Sequence, residues 1–348
     1  MSILTGISIV LSLAAVEGTS SQCVDSQGPE DSHVSLLQSS LEFSSRKKIT
    51  PSAVPASLLD VSRWEVPEPI SAAVPPGLCV LGETWTAAPI LSKESISENT
   101  RVFKFGLGNH SQALNLCTCC SMMMRGGNST SLARPIDKLT GEPLAHPYGI
   151  VSTNAMLGGF EMMIKIYSDG RLTSYLDQLA VGESMEFAHF PENVRIQYPF
   201  NVDEIGMIAG GTGIVPMLQA MQSMLGTIAE KTKITLLYAS STKEDILAKE
   251  VLDTWYKLYP DRLRVVHFLS QEPFGSDWAG FRGHINMTHL QAFLPAPDSS
   301  CIIFICGPGG NSEQESMYDT YSGPRLEDDE VKGMLGWMGY NETQVYKF

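Results

Sequence analysis

The sequence lacks three features that would each point to a large class of proteins: an excess of positive charge, a long apolar run and a dense set of cysteines. It has 24 Lys and Arg against 38 Asp and Glu, a formal net charge of −14. Binding to nucleic acid is therefore not expected, since phosphate contacts need clustered cations. No apolar run reaches the roughly 18–20 residues of a membrane-spanning helix. Seven cysteines, an odd and sparse number in 348 residues, do not predict a disulfide framework.

The composition is that of a folded protein. Hydrophobic residues make up 43% of the chain and charged residues 18%, enough apolar surface to bury a core. A chain of 348 residues is longer than one ordinary domain needs, so two domains are expected.

The N-terminus has the pattern of a targeting segment. The apolar run 3–16 has about the length of a signal-peptide core, and Val16 and Gly18 are small residues where a signal peptidase reads. We expect a signal peptide over residues 1–18, and with it a secretory or endoplasmic-reticulum-associated location with membrane association through the N-terminus. The segment before the run lacks Lys and Arg, so a membrane-surface anchor or an incorrectly assigned start stay open. Residues 19–84, rich in Ser, Pro and Ala, predict a linker, with folded structure beginning near residues 83–85.

Two different patterns of predicted secondary structure follow along the chain. Residues 101–105, 161–167 and 182–187 read as short strands, the first with a clear period of two, and predict an antiparallel β-barrel over 85–200. From 201 to 348 strands alternate with helices, which predicts a doubly wound parallel α/β domain. The expected strands are 205–209, 234–239, 263–269 and 301–306, and the expected helices are 216–224, 246–258 and 327–338.

Two glycine-rich loops follow strands of the predicted parallel sheet. Gly210, Gly211, Thr212 and Gly213 lie between a strand and a helix with Pro216 in its first turn, a G-x-G-x-x-P pattern. Such loops let the backbone approach a ligand, and the amide groups of the helix favour an anion. Nucleotide binding is favoured here over a merely structural turn. Cys306, Gly307 and Pro308 begin the second loop; Cys306 alone would more often be a buried small hydrophobe, but its position beside the loop favours ligand contact.

A third motif is rich in cysteine. Cys117, Cys119 and Cys120 invite a metal-site interpretation, but no further Cys pair or His stands at ligand spacing, and iron–sulfur spacing is absent. Three small hydrophobes in a strand or turn are favoured over a metal site. The chain also lacks a C-x-x-C-H haem attachment.

The order of these features resembles the NADH–cytochrome b5 reductase group of the ferredoxin reductase-like flavoenzymes, over about residues 88–348. The resemblance lies in residues 164–176, 210–217, 236–239 with 244–247, 306–308 and 339–348. It implies a barrel that carries FAD and an α/β domain that binds NADH. It further implies a monomer that passes electrons singly to a haem acceptor such as cytochrome b5, with the cofactors supplying the chemistry and no catalytic acid or base in the protein. The implied cofactor-binding residues are His146, Pro147, Tyr148, Gly149, Met163, Lys165, Tyr167, Gly170, Arg171, Leu172, Thr173, Gly210, Gly211, Thr212, Gly213, Pro216, Cys306, Gly307, Pro308 and Phe348.

Three positions depart from the family pattern. His146 replaces the Arg that neutralises the FAD pyrophosphate, Gly149 lacks the hydroxyl expected near the flavin, and Val215 replaces a common Thr. Arg171 and the amides of the residues after it could still hold the pyrophosphate. A degenerate, non-catalytic binding protein that no longer holds flavin is the rival hypothesis. One Lys followed by two carboxylates at 243–245 favours NADH over NADPH.

Overall fold

The computed structural model describes residues 78–190, 196–227, 229–310, 316–323 and 330–348. The predicted signal peptide and the predicted linker up to residue 77 lie outside the described residues. The last part of that linker is packed structure, because Cys79 and Leu81 are buried in the core of the first half. Ordered packing thus begins several residues before the predicted start near residue 83. None of the helices in the described part of the chain is long and apolar enough to cross a bilayer.

The first half is a six-stranded antiparallel sheet in the order β4-β3-β6-β1-β2-β5. Its elements are β1 (Thr86–Ser95), β2 (Thr100–Gly106), β3 (Ser121–Gly126), β4 (Ala145–Gly149), β5 (Gly159–Lys165), α1 (Arg171–Gln178) and β6 (Ser184–Ala188). Just beyond β4, the Val151 amide donates to the Glu161 carbonyl of β5 at 2.9 Å, which brings the two edge strands together at this end. No longer ladder joins β4 to β5 among the described strands. The predicted antiparallel flavin-domain sheet is confirmed.

Aromatic side chains fill the space enclosed by this sheet. The alternation in β2 turns Phe103 and Phe105 inward, and both are fully buried. The ring centroids of Phe105 and Phe187 lie 4.8 Å apart, and those of Phe160 and Phe187 5.1 Å apart, both edge to face. Such edge-to-face pairs stabilise a core beyond what the burial of apolar area contributes. The core therefore draws on strands β2, β5 and β6.

The second half is a six-stranded parallel sheet in the order β10-β9-β8-β7-β11-β12. Its elements are β7 (Glu204–Gly210), α2 (Ile214–Gly226), β8 (Lys233–Ser240), α3 (Lys249–Leu258), β9 (Leu263–Leu269), β10 (Phe281–Arg282), α4 (Met287–Phe293), β11 (Cys301–Cys306), α5 (Met317–Tyr321), α6 (Gly333–Met338) and β12 (Val345–Lys347). The predicted doubly wound parallel domain is confirmed.

Helices cover both faces of the parallel sheet. On β7, Ile205 and Met207 pack in one cluster with α2 and α3, in which Trp255 is fully buried. Ile208, which points to the other face, packs in a second cluster with α4, α5 and α6. A strand buried on both faces explains why residues 205–209 are almost uninterruptedly apolar.

Three predicted helices have different bounds in the structure. The helix expected to open at Pro216 begins two residues earlier, at Ile214, with Pro216 still in its first turn. The helix expected from 246 begins at Lys249, because Ala248 adopts a left-handed backbone with φ 54°. The helix expected over 327–338 is α6, which begins only at Gly333, a residue with φ 59°. Part of that range, 327–329, lies outside the described residues.

Candidate cofactor site

A cleft of about 1180 Å³ opens where the order of strands reverses in the parallel sheet. The chain builds outward from β7 through β8, β9 and β10, then returns to β7's other side with β11. Ligands in such sheets bind outside the carboxyl ends of the strands at this switch point. Residues of the antiparallel half form the facing wall. A second cavity of about 460 Å³ extends from it along β5 and the start of α1, and Tyr148, Lys165, Tyr167 and Thr212 line both.

The two glycine loops touch each other at the bottom of the cleft. Strand β7 ends at Gly210, and Gly211–Gly213 form one 3-10 turn before α2. Gly213 has an ordinary right-handed backbone with φ −61°, and the positive φ of this loop lies at Gly211, at 52°. Gly213 is needed because a Cβ atom would overlap the Cys306 carbonyl and lie 2.8 Å from the Gly307 nitrogen. Close approach, not backbone angle, explains this glycine.

The second loop is fixed by the C-terminal strand and by α5. The Tyr318 hydroxyl donates to the Phe348 carbonyl oxygen at 2.8 Å and lies 3.4 Å from the Gly307 nitrogen. The Phe348 ring packs edge to face on Phe304 and Tyr346, with centroids 5.4 and 4.8 Å away. Phe348 thus lines the cleft beside Cys306, where the resemblance placed it.

Two tyrosines and a lysine form the wall supplied by the antiparallel half. Burial, reinforced by the neighbouring Tyr167, raises the pKa of the Tyr148 phenol to about 12, so this side chain stays protonated. The Lys165 ammonium lies 5.9 Å from the centroid of the Tyr167 ring. The wall therefore offers aromatic faces next to a cation, a combination suited to a planar ring system that carries phosphates.

The second cavity has the features of an anion site. It is lined by Gly170, Arg171, Leu172 and Thr173, the residues at the start of α1. The first amide groups of a helix lack intrahelical partners and favour negative charge. The Arg171 guanidinium donates to the Ile136 carbonyl at 2.6 Å, which holds it at the cavity wall. His146 lines the same cavity and is exposed.

Two of the departures from the family pattern are packed against each other. A Cβ atom on Gly149 would lie 2.6 Å from Cγ1 of Val215, a contact too close for real side chains. Val215 is 3% exposed and is the second residue of α2, so a stiff β-branched side chain occupies the space above Gly149. The lack of a hydroxyl at Gly149 and the replacement of a threonine by Val215 thus belong to one packing contact between the two halves.

We expect Gly149→Ala to lower the free energy of unfolding by about 1–3 kcal/mol, because the methyl group overpacks against Val215. In the Val215→Ala background the same change should cost much less, with a coupling of about 0.5–3 kcal/mol between the two sites. Urea denaturation of both single variants and the double variant measures this. Gly108→Ala is the matched control, since a Cβ there meets nothing within 4 Å. Equal costs of Gly149→Ala in both backgrounds would contradict the packing described.

Each of the twenty residues predicted at the site lines one of the two cavities. Fifteen line the cleft, and His146, Gly170, Arg171, Leu172 and Thr173 line the second cavity alone. Their individual roles stay predictions. The cleft-lining residues that were not predicted at the site include Cys119 and Cys120 of the cysteine motif, Ser121 of β3, and Met317 and Tyr318 of α5. The cysteine motif lies at the cleft because it leads into β3, which pairs with β4. No local sequence pattern shows this pairing, so the sequence alone does not predict that the motif lies at the site.

The chain matches two families of domain in the order that the two halves predict. Residues 87–189 match the oxidoreductase FAD-binding domain, and residues 207–311 match the oxidoreductase NAD-binding domain. The fold and the site are therefore those of a two-domain flavin- and nicotinamide-dependent oxidoreductase.

Relatives narrow this class. The chain is 32% identical over 271 residues to an NADH-cytochrome b5 reductase 2 of Coccidioides immitis, which covers 76% of this chain and 77% of that protein. It is 31% identical over 264 residues to the Botryotinia fuckeliana protein of the same name, which covers 74% and 70%. The cytochrome b5 reductase domain of Ulva prolifera nitrate reductase superposes with a TM-score of 0.60 at 26% identity, covering 77% of this chain and 99% of that domain. The chain belongs to the NADH–cytochrome b5 reductase family and is an FAD-dependent NADH oxidoreductase.

Proposed function

We propose that this oxidoreductase passes electrons from NADH to a small haem protein of the cytochrome b5 type. The observation that carries the proposal is the cleft between the halves, where residues from the FAD-binding and NAD-binding domains line one continuous space. The relatives named as NADH-cytochrome b5 reductases support the choice of acceptor.

The residues present fit FAD. Aromatic side chains of Tyr148 and Tyr167, the Lys165 cation and the amides at the start of α1 line connected cavities. When bound, FAD supplies the ability to accept two electrons from NADH and release them one at a time. The chain's own residues would hold it: α1 and Arg171 at the phosphates, and Tyr148 beside the ring system. Gly211 to Gly213 would let the nicotinamide nucleotide approach.

Purified protein tests this directly. It should be yellow, with flavin absorption, and should reduce cytochrome b5 with NADH as donor. A colourless protein that neither binds added FAD nor oxidises NADH would instead support the non-catalytic rival. A yellow protein that reduces ferricyanide but not cytochrome b5 would keep the enzyme and overturn the proposed acceptor.

We also propose that residues 1–18 are a cleaved signal peptide and that the mature chain is a monomer associated with the endoplasmic reticulum or secretory pathway. The apolar run 3–16 and the small residues after it support the signal. N-terminal sequencing of protein from cells should start at residue 19. Detection of Met1 at the N-terminus, or a dimer by light scattering, would overturn the respective part.

The nucleotide preference depends on the carboxylate that follows β8. Asp245 lines the cleft and accepts hydrogen bonds from the Thr242 amide and hydroxyl at 3.3 and 3.4 Å. The ammonium of Lys243 is paired with Asp277 at 2.6 Å, and Lys243 is not among the residues that line the cleft.

We expect Asp245→Asn to raise kcat/KM for NADPH by about 10-fold, because a full negative charge near the extra phosphate is removed while an oxygen acceptor for Thr242 is kept. The value for NADH should change little. Steady-state rates with both donors measure the ratio. Glu244→Gln, an exposed neighbour outside the cleft lining, is the matched control and should leave the ratio unchanged. A parent enzyme that already prefers NADPH would refute the argument.

A further inference from the structure

The cysteine motif forms a tight reverse turn. The Cys120 amide donates to the Cys117 carbonyl at 3.3 Å, and Cys119 at the third position has φ 62°. A turn of this kind keeps the Cα atoms of its first and fourth residues within about 7 Å. Disulfides bridge Cα atoms about 4.4–6.8 Å apart. Cys117 and Cys120 therefore stand at the spacing a disulfide requires, and both are free thiols.

The surroundings of the two thiols differ in a way that favours Cys117 as the nucleophile. The hydrogen bond between the two thiols and the nearby His189 ring lower the pKa of Cys117, whereas the same hydrogen bond, burial and the Cys117 charge raise the pKa of Cys120. His189 is 1% exposed, and within the described part of the chain neither ring nitrogen has a hydrogen-bond partner.

The pair is shielded from bulk solvent but not from the cleft. Cys117 is 2% and Cys120 6% exposed, yet Cys120 forms part of the cleft wall. No three His, Cys, Asp or Glu side chains converge as metal ligands among the described residues. A small, neutral oxidant that enters the cleft meets this turn at Cys119 and Cys120.

The turn also joins the two halves of the molecule. The backbone amide of Cys119 donates to Oε1 of Gln219 in α2 at 2.6 Å, and the side-chain Nε2 of Gln197 donates to the Thr118 carbonyl at 2.7 Å. A covalent change between Cys117 and Cys120 would act on the segment that holds α2 against the antiparallel half.

We propose that Cys117 and Cys120 are a peroxide-sensitive dithiol that closes reversibly to a disulfide beside the cofactor cleft. The Cys117 thiolate attacks one oxygen of hydrogen peroxide, which breaks the O–O bond, releases water after proton uptake and leaves a sulfenic acid. The Cys120 thiol then attacks that sulfur, the S–S bond forms and a second water leaves. Two thiols and one peroxide thus give one disulfide and two waters. A dithiol reductant such as dithiothreitol restores both thiols by exchange.

Differential alkylation of the full-length flavin-loaded protein tests the pairing without any substitution. After brief peroxide treatment, free thiols are blocked with N-ethylmaleimide under denaturing conditions, then disulfides are reduced and labelled with iodoacetamide. Tandem mass spectrometry should place the second label on Cys117 and Cys120, and the first label on Cys119. Second labels on Cys119 with Cys120 or Cys306, or no second label, would overturn the proposal.

Single substitutions give an independent readout. The intact protein should lose about 2 Da on oxidation, since two thiol hydrogens leave. The loss should disappear in Cys117→Ser and Cys120→Ser and persist in Cys119→Ser and in the control Cys301→Ser, a buried thiol in another core. Persistence of the 2-Da loss in Cys117→Ser, or a sulfinic acid at Cys117 with no disulfide in the parent, would contradict it. Circular dichroism of each variant confirms that it is folded before the comparison is made.

Discussion

Replacing Gly213 by Val is expected to slow reduction of the bound flavin by NADH about 100-fold, the cost of misplacing a reacting group by about 1 Å. The new side chain has no space, because even its Cβ would overlap the Cys306 carbonyl. The two loops must separate, and the nucleotide they hold moves with them. The FAD should remain bound, since the predicted flavin residues lie on β4, β5 and α1 of the other half.

Stopped-flow bleaching of the flavin band measures this effect. NADH should reduce the variant slowly, whereas dithionite, which needs no nucleotide site, should reduce it at the parent's rate. Gly309→Ala is the matched control, because it lies in the second loop and a Cβ there meets nothing within 4 Å. If the Gly213→Val protein loses its FAD on purification, or is reduced by NADH as fast as the parent, the division of labour between the halves is wrong.

His146→Arg is expected to tighten FAD binding about 10- to 100-fold, which corresponds to the roughly 1.5–3 kcal/mol of a charge-assisted hydrogen bond to phosphate. His146 lines the second cavity together with the start of α1. The Arg171 guanidinium in that cavity already donates to the Ile136 carbonyl. A guanidinium at 146 would thus add a permanent positive charge and a fork of N–H donors facing the phosphates.

Titration of the flavin-free proteins with FAD, followed by quenching of flavin fluorescence, gives the two dissociation constants. His110→Arg makes the same change of charge at an exposed site outside both cavities and should leave the affinity unchanged. Equal tightening by both substitutions would reduce the effect to net charge. Unchanged or weaker binding by His146→Arg alone would show that His146 does not face the pyrophosphate.

The parallel half could be predicted closely because its strands are buried on both sides and its turns contain glycine. Residues 205–209 and 301–306 are apolar runs ended by glycine-rich loops, and both were found with bounds within one residue of β7 and β11. The antiparallel half was predicted less completely. Strand β1 contains Pro89 and β4 contains Pro147, and half of β3 is methionine, so none has the β-branched alternation that indicates a strand.

The site could be predicted as a set of residues but not as a set of contacts. The order of the motifs predicts that the glycine loops and the tyrosines belong to one site, and these residues line the same cleft. The packing of Gly149 on Val215, in contrast, depends on how two separate halves of the chain meet. The cysteine turn was interpreted as small hydrophobes. Burial of Cys117 and Cys120 agrees with that interpretation, but the His189 ring beside them comes from the end of β6, about seventy residues later in the chain, and no local pattern shows it.

Gln219 sets a limit on how this enzyme can be recombined with its relatives. Its side chain is 3% exposed, donates to the Ile150 carbonyl and accepts from the Cys119 amide, so one glutamine satisfies two backbone groups of the opposite half. A chimaera that takes its nucleotide domain from a homologue with an apolar residue at this position would bury both groups unpaired, at about 1–3 kcal/mol each. The exchangeable unit is therefore not the α/β domain over residues 201–348 alone. It is the domain together with the turn at 117–120 and the segment after β4, and crossovers that keep these three from one parent should give the stable hybrids.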